Sequence, residues 1–303
     1  MKPARSVLSV PGHIPYMHEK ACLSKADVVM LDLEDSVPPD QKVQARNQVI
    51  QSITTLNWQG KTLAIRINSL DTQFGVKDAF HVAENAHGLA DFVVLPKVND
   101  AGDIHFLDRL LSGIDLEKQS DKPMRIEAAI ETAQGLDQVS DIARASERLR
   151  SLSFGVADYS ASVNAGLASI SGHGENESQI YPGHRWHYPI SRIIMAAKAN
   201  GLLAIDAPFG NFRDKNGLEA SAAMSKALGC DGKWAIHPDQ LNTINQIFSP
   251  SDKEIARAKK ILNAAVRHPV GAVAVDGKMV DLATIRLAKR VWDQAVFLGM
   301  VKE

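Results

Sequence analysis

The chain has 303 residues, 45% hydrophobic and 23% charged, which is the composition of a soluble globular protein and excludes a disordered or fibrous one. A formal net charge of −1 offers no basic field to nucleic acid or to an anionic membrane, so neither is expected as a partner. Two cysteines, Cys22 and Cys230, give no disulfide framework; with no signal-peptide core before Pro11 and no apolar run of membrane-spanning length, a cytoplasmic protein is expected.

Short β-branched runs recur along the chain, each ending in polar or turn residues and each followed by a helix-like stretch. In order they are RSVLSVPG from Arg5, VVMLDLED from Val28, LAIRIN from Leu63, FVVLPKV from Phe92, RIEAAIET from Arg125, SLSFGVAD from Ser151, LAIDAPFG from Leu203 and KWAIHP from Lys233. Near-continuously apolar strands alternating with amphipathic helices imply a parallel sheet covered by helices. Eight such units over roughly 240 residues predict one (β/α)8 TIM barrel, an α/β fold, over residues 1–265. An open doubly wound sheet competes, but no Gly-rich dinucleotide fingerprint follows the first strand. Two features lie outside the alternation. One is the polar, His-rich stretch from Ser171 to Pro189. The other is a C-terminal segment, 266–303, with an Asp-Gly hairpin signal in AVDGKMVD and a final helix, read as a helical lid.

Active groups of a (β/α)8 barrel stand at the C-terminal ends of its strands. Here those ends carry Asp32, Glu34 and Asp35, then Arg66, Lys97, Glu131, Asp158, Asp206 and His237. Strand alternation sets Asp32 and Glu34 on one side and turns Asp35 away. Glu131 and Asp158 fall on neighbouring strands, and two carboxylates side by side in a concave mouth suit a hard divalent cation such as Mg²⁺. Taken singly, each acid reads more readily as an N-cap or turn residue. A zinc site at His184 and His187 is the other metal reading, with no further Cys or His at ligand spacing to support it.

The order of RSVLSVPG, VVMLDLEDSVPPDQKVQAR, AIRINSLDT, VVLPKV, AAIETAQGL, LSFGVADYSAS and KWAIHP resembles that of the citrate lyase β-subunit-like acyl-CoA lyases over nearly the whole chain. KWAIHPDQL and RWHYPISRIIMAAKANGL look most like the malyl-CoA and citramalyl-CoA lyase branch. The resemblance implies a homotrimer or homohexamer in which the C-terminal segment covers a neighbour's site. It implies Mg²⁺, with Mn²⁺ able to stand in, at Glu131 and Asp158, and a CoA thioester and a 2-oxo acid as reactants. By the same resemblance Arg66 neutralises the thioester oxygen as an enolate forms, Asp281 is the acid or base, and Glu34 and Asp35 orient Arg66 and metal-bound water. CoA and substrate contacts are expected from Arg5, Lys20, Arg66, Pro96 and His237. His13 and Tyr16 depart from the small polar and the basic residue common in relatives, which bears on CoA phosphate binding rather than on reaction class.

The expected activity is reversible carbon–carbon cleavage of a short 3-hydroxyacyl-CoA. Malyl-CoA, methylmalyl-CoA or citramalyl-CoA would give acetyl-CoA or propionyl-CoA plus glyoxylate or pyruvate. The rivals are a citryl-CoA lyase subunit, a thioester hydrolase on the same scaffold and a non-catalytic CoA-binding subunit, against which the intact Glu131, Asp158 and Arg66 count.

Overall fold

The structure is a computed structural model that describes residues 4–166, 185–267, 273–275 and 277–302. The chain divides into two compact units, Met1–Asn245 and Gln246–Glu303.

The first unit is a closed barrel of eight parallel strands in sequential order. The strands are β1 (Ser6–Pro11), β2 (Val28–Asp32), β3 (Thr62–Arg66), β4 (Phe92–Leu95), β5 (Arg125–Ile130), β6 (Leu149–Phe154), β7 (Leu203–Asp206) and β8 (Gly232–Ala235). β8 closes on β1 through Ser6↔Lys233, Val7↔Trp234 and Leu8↔Ala235. All five residues of β2, VVMLD, are buried, as expected of a strand with side chains inside the barrel on one face and helices on the other. Val7, Val28, Met30, Ala64, Phe92, Val94, Ile205 and Trp234 pack together as a core drawn from six strands. Each strand leads into a helix or turn that covers it, so the polar residues just past the strand ends gather at one mouth.

The second unit pairs two helices, here α11 (Asp252–Arg267) and α12 (Leu282–Phe297), counting the helices in chain order. Between them β9 (Val273–Val275) and β10 (Lys278–Val280) form an antiparallel hairpin in the register Lys278↔Val275. Gly277 takes φ 73° in its two-residue turn, a left-handed conformation that glycine adopts without strain. Ala258 and Ile261 of α11 pack on Val280 and Ala288, so α11, which the sequence pattern assigns to the barrel, belongs to this unit. Among the described residues no helix is long and apolar enough to cross a membrane.

Candidate active site

The turn that ends β2 builds the centre of the mouth. Asp32, fully buried, accepts from the backbone of Glu34 at 2.9 Å and from the Ser36 hydroxyl at 2.5 Å, which folds LDLEDS back on itself. On β3, directly alongside, Arg66 donates from Nε to Asp32 Oδ1 at 2.6 Å and from Nη2 to Oδ2 at 2.8 Å. Its Nη1 lies 2.9 Å from Glu34 Oε2 as an ion pair. Lys42, at the start of the helix that follows the turn, donates its ammonium to the carbonyls of Leu33 (2.8 Å) and Glu34 (2.7 Å) and to Asn68 Oδ1 at 2.7 Å. Lys42 thus adds a charged donor to two turn carbonyls that also accept from Asn68 Nδ2 and from the Val37 backbone, and the guanidinium plane is fixed by two carboxylates.

Burial alone would raise the Asp32 pKa, but the Arg66 charge and its hydrogen bonds outweigh it and hold the carboxyl down at about 2. The folded pKa lies below the unfolded one, so this stability is complete above about pH 4 and is lost as pH falls toward 2. The gap in urea-unfolding stability between the parent and Asp32→Asn should be widest near neutral pH. It should narrow by roughly 2 kcal/mol as the pH falls from 4 to 2. A gap independent of pH would remove the ion pair from the stability account.

Glu131, just past β5, is buried, and its Oε1 accepts from the backbone N–H of Lys97 at 2.7 Å. Across from it, a Cβ added at Gly155 would lie 1.9 Å from Glu131 Oε2, so only glycine at the end of β6 leaves room for this carboxylate. Burial first, then the charge of Glu34, pushes the Glu131 pKa up to about 8. Asp158 follows in the first turn of the helix after Gly155, its side chain 35% exposed. Lys97 ties the group together. Its ammonium pairs with Glu34, lies 3.4 Å from Asp158 Oδ2 and 3.8 Å from Asp35 Oδ2, and its backbone sits at φ 51°. A left-handed lysine is unusual and costs backbone energy, as is common at functional sites. Four acids (Asp32, Glu34, Glu131, Asp158), with Asp35 at the rim, thus meet three cations, Arg66, Lys97 and, behind the turn, Lys42. The excess of negative charge, the hard oxygen donors and the space kept by Gly155 all fit a divalent cation held by Glu131 and Asp158. Among the described residues no group of three or more His, Cys, Asp or Glu forms a complete protein cage, so remaining coordination positions would fall to water or substrate.

The expected residues do not all meet here. Arg66, Glu34, Glu131 and Asp158 converge, while Asp35 turns outward with its side chain 61% exposed. Pro96 is buried between β4 and Lys97. His237 stands after β8, its Nδ1 accepting from the Asp239 backbone at 3.2 Å and its ring stacked on Phe212 at 4.5 Å. Lys20 lies exposed on the first helix, over the Tyr16 ring. Arg5 is a correction: it precedes β1, at the end of the barrel opposite the mouth. Its guanidinium is bonded to Asp27 at 2.7 and 2.8 Å, so it is not placed to meet CoA phosphates at the mouth. Asp206 is another: fully buried, it pairs at 2.6 Å with Lys233, next to the inward-facing Trp234 on β8 and hence, by alternation, on the outer face. Asp281 belongs to the second unit, where Oδ1 accepts from Thr284 N at 2.8 Å and Oγ1 at 2.7 Å and caps α12. Most of the Ser171–Pro189 stretch, His184 included, and Asp276 of the hairpin turn lie outside the described residues. Lys42 and Asn68 escape the sequence reading altogether, because a lysine in a polar helical start carries no sign that it folds inward onto turn carbonyls.

A closed parallel barrel with a carboxylate pair, a clamped arginine and a lysine at its mouth is the setting of an enzyme that works on anionic oxygens. Residues 5–238 match the HpcH/HpaI aldolase/citrate lyase family, and the chain belongs to it as a carbon–carbon lyase. It is 42% identical over 306 residues, 98% of this chain and 96% of the other, to an L-malyl-CoA/beta-methylmalyl-CoA lyase of Cereibacter sphaeroides. A malyl-CoA/beta-methylmalyl-CoA/citramalyl-CoA lyase of Chloroflexus aurantiacus is 33% identical, with 97% and 88% of the two chains covered. Among solved structures, CitE of Mycobacterium tuberculosis in complex with magnesium, acetoacetate and coenzyme A has a TM-score of 0.76 and 28% identity, covering 97% of this chain and 98% of that one.

Proposed function

We propose that the chain cleaves malyl-CoA or a methyl-substituted relative reversibly, giving acetyl-CoA or propionyl-CoA and a short 2-oxo acid, with Mg²⁺ at Glu131 and Asp158. The observation that carries this reading is Arg66, held rigid by Asp32 and Glu34 in the same acid cluster as Glu131 and Asp158. A metal ion bound there supplies Lewis-acid polarisation of the oxygen at the bond to be cleaved. Arg66 does the complementary work. Asp32 engages two of its five N–H groups and Glu34 pairs with Nη1, which leaves further N–H groups on the terminal nitrogens for an oxyanion. Cleavage leaves an enolate on the thioester fragment, and a cation already fixed in place stabilises that charge without reorganising. Lys97 keeps Glu34 paired as charge moves, and Asp281 exchanges the proton at the enolate carbon. Pro96, His237 and Lys20 would border the thioester and its CoA; Arg5 takes no part.

The relatives of 42% and 33% identity carry lyase names and span nearly the whole chain, which supports cleavage of the carbon–carbon bond over thioester hydrolysis. Purified protein with Mg²⁺ and, separately, malyl-, methylmalyl-, citramalyl- and citryl-CoA tests the substrate. The malyl and methylmalyl thioesters should be cleaved with the higher kcat/KM, and citryl-CoA turned over faster than either would replace this reading by the citryl-CoA one.

We further propose that Asp281 serves a neighbouring subunit of a trimer or hexamer, since it lies on the second unit rather than on the barrel. Asp281→Asn and Glu131→Gln proteins, each inactive alone, should regain partial activity once their subunits exchange. No recovery in verified mixed oligomers would return Asp281 to its helix-capping role alone.

A further inference from the structure

A second set of buried polar groups meets the turn that carries Glu34. Its centre is Asn68, two residues past Arg66 and 4% exposed. The whole amide is engaged: Nδ2 donates to Leu33 O at 2.8 Å and to Asp78 Oδ2 at 2.5 Å, and Oδ1 accepts from Lys42 Nζ at 2.7 Å. The backbone N–H of Asn68 donates to the same Asp78 oxygen at 3.0 Å. Asp78, 1% exposed in the first turn of α3 (Gly75–Asn85), is held in turn, its Oδ1 accepting from Arg46 Nε at 2.8 Å and Nη2 at 2.6 Å. α3 begins this close only because residue 75 is glycine: a Cβ added there would lie 2.1 Å from Ser69 O. A carboxylate only accepts and an ammonium only donates, so Asp78 and Lys42 allow the amide between them one orientation. The other donors of Lys42 go to Leu33 O and Glu34 O, at 2.8 and 2.7 Å. Those two carbonyls belong to the peptide units on either side of the Glu34 Cα. Fixing both fixes the Cα–Cβ bond of Glu34, and hence where its carboxylate meets Lys97 and, at 2.9 Å, Arg66 Nη1.

We propose that Asn68 is a positioning residue: held between Asp78 and Lys42, it fixes the turn after β2 and so the place of Glu34 on Arg66, an inference that rests on the role of Arg66 stated above. Alanine at position 68 removes both contacts to the turn, the direct one to Leu33 O and the one through Lys42. Aspartate keeps the shape but sets a carboxylate against Asp78 and Leu33 O, where two donors stood.

In the full chain labelled with nitrogen-15 arginine, the Nε–H resonance that vanishes in Arg66→Lys belongs to Arg66, whose Nε donates to Asp32. Asn68→Ala should shift that resonance. With malyl-CoA as substrate it should lower kcat of the folded protein about tenfold while KM changes less than about twofold. Asn68→Asp should lower kcat further, by about a hundredfold. Asp78→Asn leaves Asn68 in place but no longer dictates its orientation, so it should move the Arg66 resonance and lower kcat in the same direction. Combined with Asn68→Ala it should add less than its own single effect, because both act through one network. A merely structural network would lower the melting temperature and leave the folded enzyme its parental kcat. An unmoved Arg66 resonance, a parental kcat in Asn68→Ala, or fully additive losses would overturn the proposal. Should Asn68→Ala not accumulate folded, a parental kcat in Asp78→Asn overturns it equally. Near-normal turnover of Arg66→Lys would defeat the reading of Arg66 instead, and a shifted resonance in Asn68→Ala would still uphold the hold of Asn68 on the turn.

Discussion

Glu131→Gln and Asp158→Asn are each expected to abolish Mg²⁺ binding and to lower turnover by about three orders of magnitude or more. Glutamine matches the glutamate in shape, and its amide oxygen can still accept from the Lys97 backbone, so the turn after β5 should keep its form. What disappears is an ionisable carboxyl whose charged form burial and the neighbouring Glu34 already oppose. With that carboxyl largely uncharged at neutral pH when no metal is bound, Glu131→Gln should melt near the parental temperature. Asp158 is more exposed and lies in the first turn of its helix, so its asparagine variant should lose at most about 1 kcal/mol of stability. Calorimetric titration with MgCl2, alongside thermal unfolding, separates lost binding from lost structure. Full activity of the parent in excess chelator would sink the assignment of both residues.

Arg66→Lys is expected to lower kcat about a hundredfold or more, with a smaller effect on KM. Lysine preserves the charge but replaces the planar fork by one rotatable ammonium. That ammonium can reach Asp32 or Glu34 but cannot reproduce the paired hydrogen bonds of 2.6 and 2.8 Å to Asp32. Both Asp32 oxygens keep donors from the Glu34 backbone and from Ser36, but a charge-assisted bond is lost, so roughly 1–3 kcal/mol of stability should go as well. Stopped assays on malyl-CoA, with urea unfolding on the same preparation, distinguish the two effects. A stable loss with near-normal turnover would make Arg66 a structural member of the LDLED turn.

Much of this architecture is legible in the residue order. Eight apolar runs separated by amphipathic stretches fix the barrel, because strands buried on both faces must be apolar along their length and so stand out. The same reading places Glu34, Arg66, Glu131 and Asp158 at one mouth, since a position just past a strand end determines the end of the barrel on which a residue lies. Arg5 shows where the rule is easily misapplied: it belongs to the RSVLSVPG motif but precedes the strand, and so stands at the far end, bonded to Asp27. Asp206 shows another limit, for the face of a strand end depends on where the pleat begins, and here it turns outward to Lys233. The hub role of Lys97 depends on a left-handed backbone angle that no local propensity calls for. Lys42 turns inward onto carbonyls that converge only once β2 and its turn have formed.

The most direct test of the central claim is to identify which bond is broken. Malyl-CoA, incubated with the purified chain and Mg²⁺ and quenched at low conversion, should yield acetyl-CoA and glyoxylate in equal amounts, with no free CoA above the level of an enzyme-free control. Malate and free CoA in equal amounts, without glyoxylate, would contradict the account and make the protein a thioesterase on a lyase scaffold.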